Sequence, residues 1–436
     1  MNAKYIPFTL TANLAISPEI VLEQAFQTGF CKRIGKIHPC GFWETFCVES
    51  IRGTLSYNDF AARVESQRTA SVSRQALAYK TSDAGGLFFE RMLAVAMAAK
   101  LDGSSIQQLR TQGPFTRIIV QDSTVIRLPE RLYSIFSGVE NAHKTACNAR
   151  VQGVYDILAG RLLHYSIDPY SRNDLAAALD FSAQPGDLVL KDRGYYRAEA
   201  IEKDIAVGAD CIFRYKHPSL FHSIETAERL NLAKLLKNSG SLDMEVLLGS
   251  EKNKQVPVRL VAFPVREEVA NLRRMKAKKE SNGKHPSKEL LYLMGWSIFI
   301  PTLSKDRITP KQIAALYAVR WRIENIFKSW KSNFCFDHIH NVSNPQLQML
   351  LLARLTMIVL LHHHLFTPLA AALAHKGREL SLMKFMRYAQ MNLSEILRFP
   401  SKENLIQNLT DPMLKYCAMD KRKRKSLDFK LDLVLF

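Results

Sequence analysis

The sequence predicts a mixed α/β (α+β) protein: a core built on one mixed sheet, a β-rich insertion within it, and helical regions at both ends. Three observations carry that prediction. Between residues 117 and 215 apolar patterns follow the order strand, strand, strand, helix, strand, helix, strand. Residues 192 to 324 lie 132 positions apart, far more than a helix and two loops need, and the excess holds further strand-like runs. The two ends carry helical periodicity. The expected boundaries are a helical N-terminal region over 1–110, a core over 111–217 and 292–335, a β-rich insertion over 218–291 and a helical C-terminal region over 336–436.

In the N-terminal region Ser17-Pro18-Glu19 is a helix start, and Leu87 to Leu101 reads as a long apolar helix after Gly85-Gly86. Between them, Tyr57 to Val64 and Ser73 to Lys80 fit a helix-turn-helix offering Arg63, Arg68, Arg74 and Lys80 to DNA; such pairs also arise by chance in helical domains. The core opens with Arg117-Ile118-Ile119-Val120-Gln121-Asp122-Ser123-Thr124, a β-branched run stopping at an acid followed by two hydroxyls. Residues 150 to 158 and 161 to 168 form a hairpin around Ala159-Gly160, and a helix covers about 173 to 182. Pro185-Gly186-Asp187 is a turn, Leu188 to Lys191 a strand closed by Asp192-Arg193-Gly194-Tyr195. A helix near 196 to 206 and a strand over 211 to 215 follow.

In the insertion, 241 to 264 and 291 to 300 read as strands, joined by a basic, turn-rich connection from Arg273 to Lys284. One helix is then expected over Tyr317 to Lys331. At about 100° per residue, Tyr317, Arg320, Glu324 and Lys331 fall within roughly 60° of one another, beside an apolar stripe of Val319, Ile323, Ile326 and Trp330. Taken alone, Arg320, Glu324 and Lys328 at i, i+4 and i+8 equally describe a salt-bridged surface. Leu347 to Leu361 is a buried helix, too short and too polar at Gln348 and Arg354 to span a membrane. His362, His363 and His364 point about 100° apart and cannot share one ion; they read as helix surface and helix end. The run Lys421 to Lys425 is a solvated patch or a sequence-blind phosphate contact.

Two isolated aspartates at strand ends give the charged helix its meaning. Asp122 and Asp192 would stand where open sheets place their chemistry, whereas Asp187 is explained by its turn. Three carboxylates brought together with Glu324 repel unless a cation neutralises them. Oxygen-only ligation suits Mg²⁺, with Mn²⁺ able to replace it, and not zinc. Two such ions about 3.5–4 Å apart suit in-line phosphoryl displacement.

The spacing Tyr-x2-Arg-x3-Glu-x6-Lys, met by Tyr317, Arg320, Glu324 and Lys331, resembles the signature of the insertion-sequence family four transposases of the DDE superfamily. Asp122-Ser123-Thr124 and Asp192-Arg193-Gly194-Tyr195 resemble that family's other two motifs. The likeness runs from about 110 to 335 and is most specific at Arg320-Trp321-Arg322-Ile323-Glu324. It implies a ribonuclease H-like core with the first and fourth strands adjacent, so that Asp122 and Asp192, 70 positions apart, meet at one sheet edge. It also implies metal-dependent cut-and-paste transposition: nicking at element ends, a hairpin intermediate and strand transfer. Asp122, Asp192 and Glu324 would be catalytic and metal-binding, and Tyr317, Arg320 and Lys331, with Arg322 and Lys328, would grip DNA phosphates. Trp296 would stack on a flipped base; its plain alternative is an aromatic packed in a strand.

Composition agrees with a polyanionic partner. The chain has 60 Lys plus Arg against 41 Asp plus Glu, a net charge of +19, which fits nucleic acid better than a small metabolite. Expected partners are therefore double-stranded DNA, as terminal inverted repeats and target, and by the resemblance a second protomer in a synaptic homodimer. Seven cysteines without a CxxC pair argue against disulfides and a zinc finger and for a reducing cytoplasm, where the resemblance implies work on the bacterial nucleoid. The first ten residues lack a signal peptide's pattern, and no membrane association is expected. Two rival readings keep the fold: a structure-specific nuclease, and a non-catalytic DNA-binding repressor.

Overall fold

The β-branched run that begins at Arg117 does not stop at the acid. In the computed structural model β1 spans Arg117–Arg127, so Asp122 lies in mid-strand and not at a strand terminus. The ladder explains the discrepancy: β1 pairs in parallel with β4 (Asp187–Lys191) only from Arg117↔Asp187 to Gln121↔Lys191. Asp122 is the first residue beyond that pairing, and the strand runs on without β4 beside it. The structure describes residues 16–53, 56–68, 71–99, 114–138, 146–172, 177–179, 181–249, 255–281, 285–397 and 402–420. They form two compact units, one drawn from 1–110, 123–179 and 322–423, the other from 111–122 and 180–321.

In the second unit β4 is followed by α6 (Ala198–Ala206) and β5 (Asp210–Arg214), which pairs in parallel with β4 from Leu188↔Asp210 to Lys191↔Phe213. β9 (Trp296–Pro301) then lies antiparallel to β5. Between β5 and β9 come β6 (Phe221–His222), α7 (Leu232–Asn238), β7 (Leu242–Leu248), β8 (Val256–Pro264), α8 (Glu267–Glu280) and α9 (Lys288–Leu293). β8 pairs with β9, β7 with β8 and β6 with β7, all antiparallel, so the inserted strands lengthen the same sheet. The basic stretch from Arg273 is helical through Glu280, not a turn-rich connection; residues 282–284 lie outside the described residues. Helix α8 carries Glu267 and Glu268 in its first turn and Lys278 and Lys279 in its last, which complements its dipole. Arg274 ties it down by donating to Glu267, Asn271 and the Leu291 carbonyl.

In the first unit β2 (Asn148–Asp156) and β3 (Arg161–Pro169) form the expected hairpin, with Gly160 at φ +60° closing the turn. The strand order is β3-β2-β1-β4-β5-β9-β8-β7-β6, a nine-stranded mixed sheet whose first five members have the ribonuclease H-like order. The expected helix over 173–182 is absent at 177–179 and 181–182, and 173–176 and 180 lie outside the described residues.

The helices of this unit are α1 (Pro18–Gln27), capped by Ser17, then α2 (Pro39–Ser50), α3 (Tyr57–Arg68), α4 (Arg74–Tyr79) and α5 (Asp83–Ala98). Phe30, Phe42, Phe46, Phe60, Phe88 and Phe89 form an aromatic core among them. Gly85 and Gly86 sit inside α5, not before it: a Cβ on Gly85 would stand 2.7 Å from Met349 Sδ, so the glycines allow α5 to lie close on the helix that carries Met349. That helix, α12 (Asn344–Val359), continues through a π-helical stretch, Leu360–Phe366, into α13 (Thr367–His375). Over Asn344–His375 it is long and apolar enough to cross a membrane, but 94% of its apolar window is buried in the protein. Buried Arg354 donates to the carbonyls of Ser50, Gly53 and His338. His362, His363 and His364 are all buried here, not at a helix surface or end, because the helix runs on beyond them. Of the cations that the sequence offered to DNA, Lys80 is turned inward, donating to the Phe30 carbonyl at 2.7 Å; the Arg68 side chain and Lys421 to Lys425 lie outside the described residues.

Candidate active site

Three parallel strands set up the site in the second unit. Gln121, Lys191 and Phe213 are cross-strand neighbours at the end of the β1/β4/β5 ladders, so the next residues along are Asp122, Asp192 and Arg214. Neighbouring strands lie about 4.8 Å apart, which brings the two carboxylates side by side with a guanidinium next in line. Asp192 holds the strand direction, with φ −80° and ψ 170°, before the chain tightens into the short 3₁₀ turn Arg193–Tyr195. Asp187 stands at the other end of β4, fully buried, accepting from Arg117 Nε at 2.8 Å and from the Gln184 amide at 2.7 Å. It is a structural acid, as its turn suggested.

Two residues of the spaced signature reach these carboxylates from α10 (Pro310–Val319) and the turn after it. Thr309 caps α10 with a complete capping box, Gln312 returning the bond. Tyr317 donates its hydroxyl to Asp192 Oδ1 at 3.1 Å, and its ring lies 5.1 Å from that of Phe299. Burial, then the Asp192 charge, pushes the phenol's pKa upward, so it remains a proton donor. Arg320 places Nη1 3.0 Å from Asp122 Oδ2.

The expected single helix over 317–331 is in fact two. Arg320 is a turn whose N–H bonds to the Tyr317 carbonyl three residues back, and α11 (Trp321–Phe334) begins after it. The wheel that put Tyr317 and Arg320 on one stripe with Glu324 and Lys331 does not run through that break. The units divide there as well, after Trp321.

Within the first unit α11 buries Ile323, Ile326, Phe327, Trp330 and Phe334, the apolar face that the sequence indicated, and Phe327 fits against Gly153 of β2. On its other side Glu324 and Arg322 are half-buried and Lys328 is exposed. Lys331 donates to the Val125 carbonyl of β1 at 2.7 Å, so its ammonium is fastened to the sheet.

Sequence reading passed over two cations of this site. Arg214 is buried enough that its pKa falls to about 10, with Arg273 and Arg193 pushing the same way and Tyr317 and Asp192 opposing. Arg273, on α8, donates to the Trp296 carbonyl at 3.0 Å. The register signalled Arg214, since the residue after Phe213, the partner of Lys191 in a parallel pairing, must stand beside Asp192. Nothing local signals Arg273, which arrives from the insertion. Trp296 opens β9 half-buried, its ring 6.4 Å from that of Tyr292.

The donor set fits a hard cation: two adjacent carboxylates with no thiolate or imidazole, each held by a hydrogen-bond donor. Among the described residues no group of three His, Cys, Asp or Glu side chains is arranged to enclose an ion. The second unit itself brings together Asp122 and Asp192, and Glu324 belongs to the first.

The sheet has the ribonuclease H-like strand order, with two aspartates side by side just past the end of its β1/β4 pairing. The chain belongs to the transposases with a DDE domain: the profile of that domain matches residues 113–360. It is 26% identical to the transposase for insertion sequence element IS231B of Bacillus thuringiensis subsp. berliner, over 94% of this chain and 90% of that protein. It is 24% identical to the transposase for insertion sequence element IS1151 of Clostridium perfringens, over 62% and 61% of the two chains. Among solved structures, a piggyBac transposase synaptic complex with hairpin DNA overlaps with a TM-score of 0.45 at 10% identity, covering 94% of this chain and 84% of that one.

Proposed function

We propose that this protein is a cut-and-paste DNA transposase of insertion-sequence family four, acting on the terminal inverted repeats of its own element and on target DNA. The observation that carries the reading is the joining of two sequence signals: Tyr317 and Arg320 of the spaced signature are hydrogen-bonded to Asp192 and Asp122, the two strand-borne acids. In this reading Asp122, Asp192 and Glu324 hold one or two Mg²⁺ ions, with Mn²⁺ able to substitute. Bound there, the metal supplies positive charge at the attacking and leaving oxygens of an in-line displacement at phosphorus.

The chain's own residues do the rest. Tyr317 fixes the Asp192 carboxylate by its hydroxyl. Arg320, Arg322, Lys328 and Lys331, joined by Arg214, neutralise and orient the terminal phosphates through charge-assisted hydrogen bonds. Trp296 stacks on a base turned out of the helix. The same site serves nicking by water, attack by the freed 3′-hydroxyl on the opposite strand to give a hairpin, hydrolysis of the hairpin by a second water to restore the 3′-hydroxyl, and strand transfer, because each is the same displacement with another oxygen. Residues 1–110 bind the element ends, 336–436 support pairing of two protomers, and the protein works in the cytoplasm on the nucleoid.

The test is a strand-transfer assay with DNA carrying the inverted repeats that flank this reading frame, in Mg²⁺. Joined products are expected. Cuts without joining would make the protein a structure-specific nuclease, and binding without cuts a repressor.

A further inference from the structure

The two aspartates meet different donors. Asp192 accepts a hydrogen bond from the neutral phenol of Tyr317 and has the Arg214 guanidinium as an electrostatic neighbour. Asp122 is already paired with a cation, Arg320, whose guanidinium is 3.0 Å from Oδ2 and whose residue is 5% exposed. That guanidinium also lies over two rings, Tyr317 at 5.9 Å and Trp321 at 5.6 Å. Trp321 is 55% exposed, a large apolar ring held near the guanidinium of Arg320. A divalent ion approaching Asp122 meets a positive charge in place, at low local dielectric, and is repelled by it.

We infer that Arg320 is a resident counter-ion that weakens metal binding at Asp122 until a nucleic-acid phosphate draws the guanidinium away, so that metal loading at Asp122 follows DNA binding. A phosphate is the ligand that can do this: it matches the guanidinium fork at least as well as a carboxylate does. The consequence is an enzyme whose metal site is incompletely charged with cation until substrate arrives, which limits hydrolysis in the absence of an element end. The inference rests on the reading of Asp122 as a metal ligand.

The test measures Mn²⁺ binding to the full-length protein without DNA, by the electron-spin-resonance signal of the free ion, with folding checked by circular dichroism. Arg320→Gln is expected to bind Mn²⁺ about tenfold more tightly than the unaltered protein, since removing a neighbouring charge repulsion of that size shifts Kd by this much. Arg320→Lys, which keeps the charge, is expected to bind as weakly as the unaltered protein. Arg320→Met gives a neutral side chain of similar length should the glutamine variant fail to fold. Unchanged or weaker binding by the neutral variants, or equal tightening by lysine, overturns the inference. Asp122→Asn in the Arg320→Gln background separates this from the parent reading. If it leaves Mn²⁺ affinity unaltered, Asp122 is no metal ligand and both fail; if it removes the binding while Arg320→Gln alone changes nothing, only the counter-ion role fails.

Discussion

Asp122 and Asp192 are distinguished by register and by their donors, and the consequences of altering them follow from that. Asp122→Asn, Asp192→Asn or Glu324→Ala is expected to lower DNA-end cleavage by about a thousandfold or more, since loss of metal-borne charge removes several kcal/mol of transition-state stabilisation. End binding, measured by gel shift, stays within a few-fold; loss of binding with unimpaired cleavage of bound DNA would remove Glu324 from the metal role. Tyr317→Phe removes one hydroxyl that touches Asp192 and leaves the buried ring on Phe299. It is expected to slow cleavage by about 10–100-fold, the usual cost of losing a group that orients a ligand, with an unchanged melting temperature. At this scale the sequence nominated both aspartates and the signature from neighbouring residues alone, although Asp122 lies in mid-strand, just past the end of the β1/β4 pairing. It did not identify Arg214, whose importance comes from lying beside Asp192 across a strand boundary. Nor did it reveal that Lys331 is tied to Val125, since that contact joins residues 206 positions apart.

Elements were legible wherever local pattern and burial agree. The hairpin of β2 and β3, the buried strand β4 and the apolar face of α11 all lie where periodicity put them. Pattern failed at α8, whose charges read as a loop but whose acidic start and basic end stabilise a helix. It failed again at the signature helix, which breaks at Arg320. It failed a third time at the three histidines, where a long helix continues through a π-helical stretch. The β1/β4 pairing on which the site depends is pinned at its far end by Arg117 and Asp187, with Asp187 fully buried and Arg117 partly exposed. Asp187→Asn leaves the guanidinium without its charge partner and is expected to cost about 3 kcal/mol, read as a lower denaturation midpoint in urea. An unchanged midpoint would mean that the ladder holds its register without this pair.

On the scale of the whole molecule, charge governs the encounter with DNA. A net charge of +19 implies a binding constant that falls steeply with salt. Between 50 and 200 mM salt, affinity for end DNA is expected to drop by about 10³–10⁵-fold if 6–10 phosphates are engaged; a flat salt response in fluorescence anisotropy would count against phosphate-dominated binding. None of the seven cysteines is in a disulfide and six are buried, so cohesion rests on the apolar cores and on the sheet.

By itself the sequence determined the class of fold and the basic character and nominated the acids and the spaced signature, because each is written in neighbouring residues or in composition. Only the tertiary structure decided which acid faces which donor: that Tyr317 serves Asp192, that Arg320 occupies Asp122, and that Arg214 joins their row. Those relations depend on strand register and on packing between segments distant in the chain, and a one-residue change of register would redirect them while leaving every local pattern intact.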